Sequence, residues 1–208
     1  MTQEAFEVEV NGQTIRGTSY QPAVTTRVPS VLLLHGFTGQ RIEAGFLFVQ
    51  IARSLCARGI GAVTFDFRNS GESDGSFDQM LVTEELADAL RMIRWVQGRP
   101  NVDRTRLGLL GFSLGGLLGA ACMSRTDNIR SLALLAPTTV ANLCRMPASC
   151  QTSLLPLGRI HCMQISLQTS KRSIPWLTSS AIPGRRLSCK AWQTRLCPPR
   201  FPLPMSTP

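Results

Sequence analysis

Residues 107–116 read Leu-Gly-Leu-Leu-Gly-Phe-Ser-Leu-Gly-Gly, an apolar run of strand length that ends in Gly111-Phe112-Ser113-Leu114-Gly115 and passes into the helix-compatible stretch Gly116-Leu-Leu-Gly-Ala-Ala-Cys-Met123. A strand that turns into a helix over a single serine leaves its neighbours little freedom. The turning residue takes strained backbone angles, and a Cβ two positions to either side would meet the opposing backbone, so Gly111 and Gly115 answer a steric demand. Such a turn lifts the Ser113 hydroxyl above the carboxyl edge of a sheet. There the Leu114 N–H, at a helix N-terminus, points toward developing negative charge. A lone G-x-S-x-G recurs by chance in loops. The strand before it and the helix after it make this one a candidate nucleophile with half of an oxyanion site attached.

The surrounding pattern fits an open sheet. Phe6 to Val10 alternates as a strand, Asn11-Gly12 is a hairpin turn signal, and Thr14 to Tyr20 returns as its partner. Val31 to Leu34 is a continuous apolar run, as in a parallel strand buried on both faces. A helix is predicted over Glu43 to Ala57, with Phe46, Val49, Ile51 and Leu55 toward the core and Gly59 as its stop. Strands follow at Ile60 to Phe67, Leu107 to Gly111 and Ile129 to Leu135, and helices at Val82 to Gln97 and Gly115 to Arg125. The second of the three helices carries Leu86, Leu90, Ile93 and Val96 near helical spacing. Strands alternating with helices predict an α/β class fold: a mostly parallel sheet with helices on both faces.

Charge divides the chain. The net charge of +9 suggests an anionic partner, yet residues 1–127 hold 12 Arg against 13 Asp and Glu, whereas residues 128–208 hold ten Lys and Arg and no acidic residue. Ten of the 13 prolines and five of the seven cysteines also fall after residue 127. Ordinary domains mix both signs of charge, so we treat residues 1–140 as the N-terminal part of one domain. Residues 141–208 read as an irregular, basic, Pro- and Cys-rich tail, so that the C-terminal third of the fold is expected to be incomplete or disordered. The tail's charges are scattered and Trp176, Trp192 and Phe201 form no stacking pattern, so no nucleic acid is expected. Its cysteines contain no C-x-x-C pair, so no metal is expected. No membrane span and no signal peptide are legible, which makes the cytoplasm the default location. Oligomeric state is not legible.

Three blocks, LLLHGFTG at 32–39, FDFRNSGESDGSFDQM at 65–80 and GLLGFSLGG at 108–116, resemble the α/β-hydrolase superfamily, and within it the bacterial cinnamoyl and feruloyl esterase-like serine hydrolases. The resemblance covers about residues 5–140. It implies an α/β-hydrolase fold, no cofactor, and a small-molecule carboxylic or thio ester as substrate. It also implies Ser113 as the nucleophile and the Phe37 and Leu114 amides as oxyanion donors. His35, in the His-Gly-Phe turn with Gly36, is implied to be structural and to order the oxyanion loop. Asp66 and Arg68 are expected to make fixed hydrogen bonds in a loop that borders the site without doing chemistry, with Gly71 and Gly75 permitting its tight turns.

A Ser–His–acid system in this order needs an acid and then a histidine after the serine. Asp127 is the last acid in the chain, and it is predicted to sit between a helix and a strand at the opposite end of the sheet. His161, the one downstream histidine, has no strand-end context. The expectation is therefore a serine hydrolase crippled as written, by an out-of-frame reading between about residues 137 and 150. Translating the other two frames tests this; it fails if neither restores Asp and His on strand-end loops. The alternative is a catalytically inactive, truncated hydrolase that acts only as a binding pseudo-enzyme through its basic tail.

Overall fold

The computed structural model describes residues 1–139 and Asn142. The chain opens with the expected hairpin, β1 (Thr2–Val10) and β2 (Gln13–Gln21), paired antiparallel with Val10 opposite Gln13. Asn11 and Gly12 turn it with φ of 52° and 78°, the left-handed pair that lets a two-residue turn match the twist of its strands. The remaining strands are β3 (Val28–Leu34), β4 (Gly61–Phe65), β5 (Val102–Phe112) and β6 (Ile129–Leu135). They assemble in the order β1-β2-β4-β3-β5-β6. The pairs β3–β4, β3–β5 and β5–β6 are parallel, and the hairpin joins antiparallel through β2–β4.

Parallel neighbours need a crossover, here α1 (Leu47–Cys56), α2 (Val82–Gln97) and α3 (Leu114–Met123). The period-2 alternation of β3 shows how both sheet faces are covered. Leu32 and Leu34 enter a core with Val63, Phe65, Leu107 and Leu109 under α2 and α3. Leu33 faces the other way, with Tyr20 and Ala62 under Phe48 and Ala52 of α1. The predicted mostly parallel sheet with helices on both faces is the fold of the described residues. The expected division at residue 140 and His161 lie outside them.

One helix reading is corrected. Glu43 to Phe46 is not the first turn of α1: Glu43, Gly45 and Phe46 have φ of 55°, 64° and 58°, and the helix begins at Leu47. With that start the buried stripe is Phe48, Ala52 and Cys56, while Phe46 stands 63% exposed. A positive-φ turn rotates the phase of the helix behind it, which apolar spacing alone does not reveal. On α2, Ile93 and Val96 are buried and Leu86 and Leu90 pack half-buried against the same core, while Glu85 and Asp88 also point inward.

Candidate active site

The turn from β5 into α3 has the strained geometry its sequence demands. Ser113 sits at φ 51°, ψ −113°, a conformation that costs a non-glycine residue about 1 to 3 kcal/mol and persists only where the surroundings impose it. The surroundings are identifiable. A Cβ on Gly111 would collide with the Gly115 carbonyl, and one on Gly115 with the Leu34 and His35 carbonyls. The Ser113 N–H donates to Leu135 O at 3.0 Å and the Ser113 carbonyl accepts from Gly116 N–H at 3.1 Å and Thr138 N–H at 3.0 Å. The end of β6 and the residues after it thus strap the turn on one side. Leu114 opens α3, where the first N–H groups have no intrahelical acceptor.

The neighbouring strand brings the second loop. Leu34 pairs with Gly111 across β3 and β5, so residues 35–43 leave the sheet beside the serine. A Cβ on Gly36 would lie 3.3 Å from Ser113 Cβ. His35 is 1% exposed and its ring is committed on both sides: Nδ1 is 2.9 Å from the Gly36 carbonyl, and the Phe67 N–H donates to Nε2 at 3.2 Å. Those bonds require a neutral ring protonated on Nδ1. Burial holds the imidazole pKa below its usual value, against the hydrogen bond to Gly36 and the charges of Asp66 and Glu43.

The Gly36 carbonyl also accepts from Gly39 N–H at 3.0 Å. This carbonyl shares a planar trans peptide with the Phe37 N–H, so fixing one fixes the other, pointed the opposite way. His35 therefore orders the loop through its backbone and has no free nitrogen with which to take a proton from Ser113. Beside it, Glu43, whose place before an apolar stretch resembles a helix start, is 8% exposed and accepts the Gly36 N–H at 2.7 Å.

Residues 66–77, which follow β4, form the adjoining wall. The Asp66 carboxylate is fully buried, accepts the Arg41 N–H at 2.6 Å and the Glu72 N–H at 3.0 Å, and pairs with the Arg41 guanidinium. It ties the 35–43 loop to its neighbour. Gly71, at φ 57°, packs so closely on Asp66 that a Cβ there would strike the carboxylate. Arg68 is 5% exposed and its backbone N–H and Nε both reach Asp88 on α2, at 3.1 and 2.8 Å. Glu85, one turn away and 2% exposed, has its Oε2 buried without a partner among the described residues. Burial first, then the charge of Asp88, push its pKa up to about 8. The expectation that Asp66 and Arg68 make fixed hydrogen bonds agrees with this geometry.

Between the two loops lies an open, polar cleft of about 430 Å³ lined by Thr38, Gly39, Asn69, Ser70, Ser76 and Phe77. Phe77 is 38% exposed and leans on Phe37 with ring centroids 5.4 Å apart. Asp127 is where the sequence put it. It precedes β6 and lines a separate cleft of about 480 Å³ with Arg94, Arg104 and Arg130, whereas Ser113 follows the carboxyl end of β5.

A strained strand-to-helix turn over a serine between glycines, an adjoining His-Gly loop and this sheet order together define one class of fold. The alpha/beta hydrolase fold model matches residues 29–153, more than half of the sequence, and the chain belongs to that family. It is 35% identical over 101 residues to an uncharacterized 31.7 kDa protein from the traX-finO intergenic region of Escherichia coli, covering 45% of this chain and 34% of that protein. It is 34% identical over 96 residues to the lysophosphatidylserine lipase ABHD12 of Danio rerio, 46% of this chain and 23% of the lipase. Est1E of Butyrivibrio proteoclasticus, solved with ferulic acid bound, superimposes with a TM-score of 0.58 at 26% identity, over 64% of this chain and 53% of Est1E. The chain thus matches about a third or less of these two curated relatives and about half of that structure. No helix among the described residues is long and apolar enough to cross a membrane.

Proposed function

We propose that the chain is a serine hydrolase of carboxylic or thio esters, with Ser113 as nucleophile and the Phe37 and Leu114 amides as oxyanion donors. The observation that carries this reading is the backbone of Ser113, held at φ 51° between two glycines that admit no side chain. Strain of this kind is maintained where a hydroxyl must be presented at one point. The serine oxygen would attack the acyl carbon, and charge on the carbonyl oxygen would meet two N–H groups whose directions are set before substrate arrives. An ester or thioester also accords with a relative named a lipase and with a solved relative that holds ferulic acid. Thioester, amide and peptide bonds share the same tetrahedral chemistry, so the acyl and leaving groups are left open. A cytoplasmic small-molecule ester is the partner we favour.

Attack needs a base. Among the described residues His35 has both nitrogens engaged; His161 lies outside them, and no carboxylate follows Asp127 in the sequence to orient it. Turnover is therefore proposed to be low, at the level that oxyanion donors and substrate binding sustain without general base catalysis. Hydrolysis of p-nitrophenyl esters by the wild type and Ser113→Ala tests this. A slow rate lost in the variant supports the reading, and equal rates in the two remove it. The second reading, a binding protein with a basic tail, draws on the ten Lys and Arg against no acid in residues 128–208. Titration with a polyanion across salt concentration tests it, since phosphate-type binding weakens steeply with salt; no salt-dependent affinity removes it.

A further inference from the structure

We infer that Glu43 is a positioning residue for the oxyanion loop, acting through the Gly36 amide; the inference rests on the reading of Ser113 and Phe37 just proposed. Glu43 lies seven residues after Gly36, and the chain between them bends so that its carboxylate returns to the start of the loop. The bond from Gly36 N–H to Glu43 Oε1 is 2.7 Å, the length of a charge-assisted hydrogen bond. A carboxylate only 8% exposed is expensive to bury, and the backbone that delivers it is strained, with the non-glycine residues Glu43 and Phe46 both at positive φ. Helix capping does not account for the residue, because its side chain makes no capping bond to the short 3₁₀ turn that follows it. Ion pairing does not either: the adjacent guanidinium of Arg41 is directed to Asp66 and Glu72.

The geometry shows what the contact controls. The peptide joining His35 to Gly36 is held by its N–H on Glu43. The next peptide, joining Gly36 to Phe37, is held by its carbonyl on His35 Nδ1 and Gly39 N–H. With both planes fixed, rotation about the Gly36 Cα is removed, and the Phe37 N–H has one direction. Glu43 Oε1 and Ser113 Cβ flank the same point beside Gly36, at 3.5 and 3.3 Å from where a Cβ would stand. The positioning contact is therefore adjacent to the serine. Oε1 also packs 2.6 Å from where a Cβ on Gly39 would be, which keeps the loop closed over the carboxylate.

The test compares wild type, Glu43→Gln and Glu43→Ala by two readouts. The first is the backbone amide spectrum. The Gly36 proton resonates downfield in wild type, stays near that position in Glu43→Gln, which keeps a carbonyl acceptor at the same reach, and moves upfield in Glu43→Ala together with a shift of Phe37. The second is the rate at which a fluorophosphonate modifies Ser113, expected to fall on the order of 100-fold in Glu43→Ala, the scale of losing one oxyanion donor, and to be largely restored in Glu43→Gln. Where ester turnover is measurable, kcat falls and KM is unchanged, because the donor acts on the transition state. Equal slowing in both variants with parallel losses of thermal stability overturns the inference, since it shows only a fold requirement. If wild type shows no chemistry at Ser113, the hydrolase reading fails separately; the amide readout then decides, and unmoved Gly36 and Phe37 resonances in Glu43→Ala overturn the positioning role.

Discussion

The two turns that meet at Ser113 are built by opposite means. The elbow after β5 is shaped by exclusion: Gly111 and Gly115 press backbone against backbone so closely that no Cβ fits. The loop after β3 is shaped by attachment, through His35 to Gly36 and Phe67, Glu43 to Gly36, and Arg41 to Asp66. Steric exclusion leaves a signature within five residues of sequence. Attachment draws its partners from residues 43, 66 and 67, and a local motif does not contain them.

This contrast sets the order of expected effects. Asp66→Ala leaves Arg41 paired only with the exposed Glu72 and removes the acceptor of the Arg41 and Glu72 N–H groups. Each orphaned buried donor costs about 1 to 3 kcal/mol, and urea unfolding should show a loss of about 3 kcal/mol or more for the two together. A loss smaller than that of Gly115→Ala would invert the comparison, making exclusion the dominant device. Gly115→Ala forces a methyl into the Leu34 and His35 carbonyls and should cost about 1 to 3 kcal/mol. It should also abolish modification of Ser113, because the elbow can relax only by turning the hydroxyl away; undiminished modification would show that the glycine is not required.

Attachment also carries charge, so it responds to pH. Glu85 has a folded pKa of about 8 against an ordinary 4.5, so the folded state binds the extra proton between those values and loses stability as pH rises through them. The slope should approach 1 kcal/mol per pH unit. Glu85→Gln should flatten it above pH 6, and parallel curves for variant and wild type would remove Glu85 as the source. His35 works in the opposite sense: its pKa is depressed by burial, so its contribution is present above its ordinary value of 6.5 and lost as pH falls below it. The smallest effect is expected for Phe77→Ala, which removes a half-exposed ring from Phe37 and should cost about 0.5 to 1 kcal/mol. A larger loss would mean that the 66–77 wall supports the 35–43 loop more than its polar bonds suggest.

The same contrast explains what the sequence disclosed. The mostly parallel sheet with helices on both faces follows from apolar strands separated by helices, and the turn at Ser113 with its glycines is readable because each is forced by its immediate neighbours. The resemblance implies structural places for His35 and Asp66, and the structure shows both held in hydrogen bonds. Glu43 was not legible, since a glutamate before an apolar stretch reads as a helix start, and only the positive φ at Glu43 and Phe46 shows otherwise. Glu85 and Asp88 were hidden for a related reason: leucines at 86 and 90 offered an apolar face, but Arg68 arriving from β4 draws Asp88 inward. Apolar periodicity does not anticipate a buried cation from another element.

We propose that Ser113 is a correctly mounted nucleophile with no base to activate it among the described residues. Fluorophosphonate treatment of the full chain, with the modified peptide identified by mass spectrometry and the rate followed over time, tests it most directly. Slow modification confined to Ser113 and absent from Ser113→Ala is the expected result. Rapid stoichiometric modification of Ser113 would contradict the missing base, and no adduct on Ser113 would contradict the mounted nucleophile.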